Sequence, residues 1–275
     1  ASAPRYPAEK ILVVNLPSVE IGSTIEYETR RNIFGKPYFA LHRYFNDFDP
    51  IDAKKVTLNL PKSLIYQQRS SGIDLSETLA DQTRSLTWEA HDQPAVIIEE
   101  DMPSWHTFNS YIRLTTATWK SYANQIYQYL QKTTQDQPNA FQLAHKLTQD
   151  IPTDRARIII LRDWVSKNIR QAGPAFTDLP LHCLSHADIT LADRYGNHAD
   201  RIILLHCMLK AIGISSEWML SDSGSLIPEQ NAPYLALPSR YHFDYFMLKT
   251  MLDGQPLYLS GNTHYAELGT TLFDN

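Results

Sequence analysis

Apolar and polar positions change over in short runs through the first hundred residues. The segments KILVVNL (10–16), STIEYETR (23–30), YFALHRYF (38–45), KKVTLNL (54–60), TRSLTWEA (83–90) and PAVIIEE (94–100) are rich in β-branched and aromatic residues and are separated by turn residues. In 23–29, Thr24, Glu26 and Glu28 alternate with Ile25, Tyr27 and Thr29, the two-residue period of a half-buried strand. This half predicts a β-sandwich or curved sheet. The polar stretch QQRSSGIDLSETLADQ (67–82) predicts a long exposed loop.

The period changes after MPSW at 102–105. In 118–134, Trp119, Ala123, Ile126 and Leu130 step by four, three and four, which is one helical face. Pro138 is placed to open a second helix carrying Phe141, Ala144, Leu147 and Ile151. A third follows PTD, capped by Thr153 or Asp154, with Ile158, Leu161 and Val165 as its inner stripe and Trp164 beside them. ADRIILLHCMLKAIG (199–213) is apolar nearly all round, with Ile202, Leu205, Leu209 and Ile212 on one face and Ile203, Cys207 and Ala211 flanking it. Such a helix must be enclosed, and Gly213 suits a left-handed stop. ISSEWML, YFMLKTML and QPLYLS then read as strands, the last two joined by a hairpin turn at LDG (252–254). Helices followed by an antiparallel sheet make this half α+β. The division falls into residues 1–105, a β-rich N-terminal domain, and 106–275, a helical segment and core.

Composition narrows the function classes. The 275 residues carry 25 Lys+Arg against 30 Asp+Glu, a net charge of −5, with the basic residues scattered. Nucleic acid needs a concentrated cationic footprint and is not an expected partner. No stretch reaches the ~20 apolar residues of a membrane span, so no transmembrane segment is expected. Cys183 and Cys207 form neither a CxxC nor a four-ligand zinc pattern, and Cys207, inside the apolar helix, reads as a small buried hydrophobe. HCLSH (182–186) offers His182, Cys183 and His186, and an i, i+4 histidine pair on a helix can hold zinc. Nothing supplies the remaining ligands, so no metal and no cofactor are expected. His206, on the apolar helix, reads as a satisfied core or boundary residue.

The order of a helix, Gly-x-x-x-Asp at the mouth of a buried helix, LLxxxLKAIGI, a strand, the LDG hairpin and an LYL strand resembles the bacterial transglutaminase-like superfamily. That fold is related to papain-type cysteine proteases. NLPSVEIGSTIEYETR is similar to the β-rich domain of unknown function that precedes such cores in exported bacterial proteins; the N-terminal module reads as starting partway through it. The resemblance implies a periplasmic or cell-envelope protein. It also implies a Gly-Asp-Cys-x-Asp motif with a nucleophilic cysteine at the helix N-terminus, where the dipole stabilises a thiolate.

Here the motif is Gly196, Asn197, His198, Ala199, Asp200, and His198 occupies the cysteine's place. Counting back seven residues from Leu252 puts Tyr245 at the histidine position, and LYLSGN puts Ser260 at the carboxylate position. His242 lies three residues from Tyr245, on the opposite face of a strand. Cys207 lies nine residues beyond His198, well inside the helix. Asp200 and its neighbour Arg201 match the family's residues there, and Asp200 reads as a structural partner of the helix dipole. His198, near that positive end, is expected to remain neutral without an orienting acid. The resulting expectation is a non-catalytic module that binds protein or peptide at Asn197, His198, Asp200, Tyr245 and Ser260. The alternative is an active hydrolase or acyltransferase whose nucleophile has moved to Ser260, Cys183 or a metal-bound water.

Overall fold

A computed structural model describes residues 3–6, 12–221, 232–233, 235–261 and 267–270. Its first half contains two three-stranded antiparallel sheets. In one, β1 (Ala40–Tyr44), β6 (Tyr111–Thr115) and β3 (Gln67–Ser71) lie in the order β1-β6-β3. In the other, β2 (Ile51–Pro61), β5 (Thr83–Gln93) and β4 (Ser76–Ala80) lie in the order β2-β5-β4. Leu60, Leu86, Trp88 and Ala90 from the second sheet share a core with Ile112, Leu114 and Phe45 from the first. This is the two-layer arrangement that the alternating pattern predicted. Strand β6 follows residue 105 in sequence and is the central strand of its sheet.

Four expectations for this half need correction. Residues 67–82 are not a loop; they form β3 and β4 around Gly72, which adopts a left-handed φ of +64°. Both are edge strands, whose side chains need no apolar face, so their polarity disguises them. Conversely, 23–30 and 94–100 form no strand, and neither does the described part of 10–16, its first two residues lying outside the described set. Ile25, Tyr27, Ile97 and Ile98 are exposed. Their β-propensity is a local preference, and a strand forms only with a neighbouring ladder and a surface to bury against.

The second half is α+β, as expected. Helices α1 (Trp119–Thr133), α2 (Pro138–Thr148), α3 (Asp154–Asn168), α4 (Ala187–Asp193) and α5 (His198–Ala211) are followed by β9 (Ser216–Ser221), β10 (Tyr245–Leu252) and β11 (Gln255–Leu259). The sheet is antiparallel, in the order β11-β10-β9. Thr118 and Ser121 form a reciprocal capping box on α1, and Thr153 caps α3. Proline opens α2. The buried face of α1 is Tyr122, Ile126, Leu130 and Thr133, so Tyr122 replaces the expected Ala123, which is exposed. The larger aromatic surface gains more from burial than a methyl group does.

Helix α5 is the centre of this core. Ala199 through Leu205 and Cys207 through Leu209 are all buried, and the helix is flanked by α2, α3, α4, β9 and β10. It ends at Gly213, with φ +80°. Asp253 (φ +53°) and Gly254 (φ +77°) make the β10–β11 turn, as LDG predicted, with both central residues left-handed. Among the described residues, no helix is long and apolar enough to cross a membrane.

Candidate functional site at the mouth of helix α5

A short parallel pair aims α5. Strand β7 (Arg170–Gln171) pairs with β8 (Tyr195–Gly196), and the Ala172 amide donates to the Gly196 carbonyl at 3.0 Å. Helix α4 ends at Arg194 in the left-handed conformation, which turns the chain into β8. Gly196 is required for close packing: a Cβ there would stand 3.0 Å from Cβ of Asp200 and 3.1 Å from Cγ2 of Thr190. Asn197 is the N-cap of α5, its side-chain oxygen accepting from the Asp200 amide at 2.9 Å. His198 is therefore the first helical residue, at the position the sequence assigned to it.

The half-buried rings of His198 and Tyr245 meet edge to face, with centroids 5.0 Å apart and planes at 69°. His198 Nε2 lies 2.8 Å from the Phe246 carbonyl oxygen. A carbonyl has no proton to give, so Nε2 is the donor in this bond. The first turn of α5 is thus fastened to the first residues of β10. Behind the contact, the Phe246 ring packs on Phe176 at 4.6 Å, and Phe246 is fully buried.

Ser260 directly follows β11 and is buried, 3% exposed. The neighbouring Gly261 backbone lies over the first turn of α5: a Cβ on it would meet Cδ1 of Ile202 at 3.4 Å and Cβ of Arg201 at 3.7 Å. Arg201 is itself buried and donates to the Gln171 side chain and the Ser166 carbonyl, each at 3.2 Å. Burial lowers its pKa to about 10.

Asp200 is 0% exposed. Its Oδ1 accepts from the Ser185 amide and its Oδ2 from the Ser185 hydroxyl, both at 2.8 Å, and Oδ2 also accepts from the Tyr6 hydroxyl at 2.5 Å. The sequence pointed only to the helix dipole as its partner. Ser185 and Tyr6 are far apart in the chain, and no periodicity or motif joins them to α5.

The remaining titratable candidates lie elsewhere. His242, in a 3-10 turn just before β10, faces Trp119 and Phe243, and burial together with Arg113 and His42 lowers its pKa to about 3. Cys207 is wholly buried and its thiol is pushed up to about 12 by burial. Cys183 is half-buried in a 3-10 turn; both thiols are free. His182 shares that turn, whereas His186 caps α4, its Nδ1 lying 3.1 Å from the Gln137 side-chain nitrogen. The i, i+4 pair therefore does not share a helix. His206 Nδ1 lies 2.8 Å from the Ser216 hydroxyl and its ring packs on Trp218, as a satisfied boundary residue would.

Residues 1–97 match DUF3857, a family described as a domain of unknown function, in line with the resemblance of NLPSVEIGSTIEYETR. No curated protein matches the sequence significantly. Among solved structures, a candidate protease from Parabacteroides distasonis superposes with a TM-score of 0.66 at 19% identity, over 82% of this chain and 43% of that one. A candidate cysteine protease from Cytophaga hutchinsonii gives a TM-score of 0.39 at 12% identity, over 82% of this chain and 79% of that one. The periplasmic domain of TgpA from Pseudomonas aeruginosa gives 0.35 at 12% identity, over 81% of this chain and 73% of that one. Those two scores fall below the level that indicates a common fold. The chain spans less than half the length of the Parabacteroides protein, with which it shares the fold of the region that superposes.

Proposed function

We propose that this chain is a transglutaminase-like protein whose core has lost cysteine-histidine-aspartate chemistry and works as a protein- or peptide-binding module. The observation that carries this reading is the 2.8 Å bond from His198 Nε2 to the Phe246 carbonyl. His198 donates its Nε2 proton to the backbone of β10 and sets its ring edge to face against Tyr245, so bond and ring both serve to hold α5 on the sheet. The arrangement suits a rigid wall of a cleft. The β-rich module, residues 1–105 with strand β6 completing one of its sheets, and the core that follows are read as the two halves of this unit, and the resemblance supports a location in the periplasm or envelope.

The test is an amidase, protease and amine-transfer screen of the wild type beside His198→Ala and His198→Cys. No turnover above background is expected from any of the three, because restoring a cysteine does not restore its base. Wild-type turnover that disappears in His198→Ala would falsify the proposal. Fractionation of cells carrying the full natural gene tests the location.

A further inference from the structure

The slot beside the mouth of α5 holds a dipeptide of the chain itself. Tyr6 is 6% exposed, and its ring lies where only a glycine can border it: Gly173 has φ +101°, and a Cβ there would stand 2.3 Å from the ring. The Tyr6 hydroxyl donates to Asp200 Oδ2 and accepts from the Asn197 amide, both at 2.5 Å. It therefore bridges the buried carboxylate and the N-cap of α5. Burial and the neighbouring Asp200 charge push the phenol pKa upward, so the hydroxyl keeps its proton.

Arg5 completes the contact. Its guanidinium donates to Asp193 Oδ2 at 2.5 Å, to the Tyr195 carbonyl at 3.0 Å and to Asp200 Oδ2 at 3.3 Å. It lies over the Tyr195 ring at 4.8 Å, and its backbone amide donates to the Tyr195 hydroxyl at 2.9 Å. Main-chain, charge-assisted and cation–π contacts thus meet on two adjacent residues.

We propose that this slot is a recognition site for an arginyl-tyrosine peptide element, occupied here by the chain's own Arg5–Tyr6. Each part selects a chemical feature. The Gly173 wall admits an aromatic ring, Asp200 with the Asn197 amide requires a hydroxyl at its far end, and Asp193 with Tyr195 takes a planar cation one residue earlier. Asp200 is thereby a receptor for that element as well as a residue of the first helical turn. The inference deepens the peptide-binding reading above at Asn197 and Asp200, and its test is separate because it uses none of His198, Tyr245 and Ser260.

The experiment uses the full chain carrying Arg5→Ala and Tyr6→Ala together, with a synthetic peptide of residues 1–10, ASAPRYPAEK, as the probe. Saturable binding to this variant is expected, weakened at least tenfold when the peptide carries phenylalanine for tyrosine, with no binding to the wild type, whose slot is filled. Failure to bind the folded variant, or equal binding to the wild type, overturns the proposal. Should the double variant not fold, Tyr6→Phe supplies the readout: hydrogen exchange at the Asn197 amide should be at least tenfold faster than in the wild type. Equal protection in the two proteins likewise overturns it.

Discussion

His198→Ala removes the ring that fastens α5 to β10. Two losses follow from the geometry. The buried Phe246 backbone loses the donor 2.8 Å from its carbonyl, which costs about 1–3 kcal/mol when the acceptor is left in the interior. The edge-to-face contact with Tyr245 at 5.0 Å contributes a further ~0.5–1.5 kcal/mol. The helix itself loses nothing, because alanine is the better helix former. The expected destabilisation is therefore about 2–4 kcal/mol, or a fall in Tm of roughly 5–15 °C for a chain of this size. Urea and thermal unfolding followed by circular dichroism read both quantities. His198→Phe keeps a ring against Tyr245 and removes only the donor, so it should fall between the wild type and His198→Ala. If His198→Ala unfolds within about 0.5 kcal/mol of the wild type, the level of an ordinary surface change, the fastening does not exist. The structural account of the site then fails with it.

Acid should destabilise the fold through buried histidines. Burial lowers the pKa of His242 to about 3 and those of His206 and His42 to about 4, against ~6.5 when unfolded. The unfolded chain thus binds more protons between these values. Stability is complete above pH ~6.5 and is lost as the pH falls toward about 4, by at most on the order of 3 kcal/mol per histidine. Urea midpoints at pH 7, 5.5 and 4.5 should fall in that order, and a pH-independent midpoint would contradict the burial. Cys207, with its thiol pushed up to about 12 by burial, should resist iodoacetamide in the native protein while half-buried Cys183 reacts. Mass spectrometry showing equal modification of both would refute this. Leu205→Ala opens a cavity in a fully buried turn of α5 and should cost about 2–5 kcal/mol, read as a shifted urea midpoint at constant m-value; a change under about 1 kcal/mol would mean that the helix is not enclosed.

Elements with local signals are legible in the chain alone. Helices α1, α2, α3 and α5 carry their apolar spacing, their caps and their stop within a few residues of one another, because the interactions that start and end a helix reach only about one turn. The β10–β11 hairpin was legible for the same reason: LDG supplies the two left-handed residues its turn requires. The positions of His198 and Tyr245 followed from those elements, and the tertiary structure brings the two rings together. Pairings between distant segments emerge only when the chain closes on itself. Edge strands β3 and β4 have no apolar face to betray them, while the strand-like 23–30 and 94–100 have no ladder to join. Asp200 shows the difference within one side chain. Its place in the first turn of α5 is written in the motif, but its partners Tyr6 and Ser185 stand 194 and 15 residues away. Only the closure of the fold, which excludes water from the carboxylate and leaves it to be satisfied by whatever donors converge there, selects them.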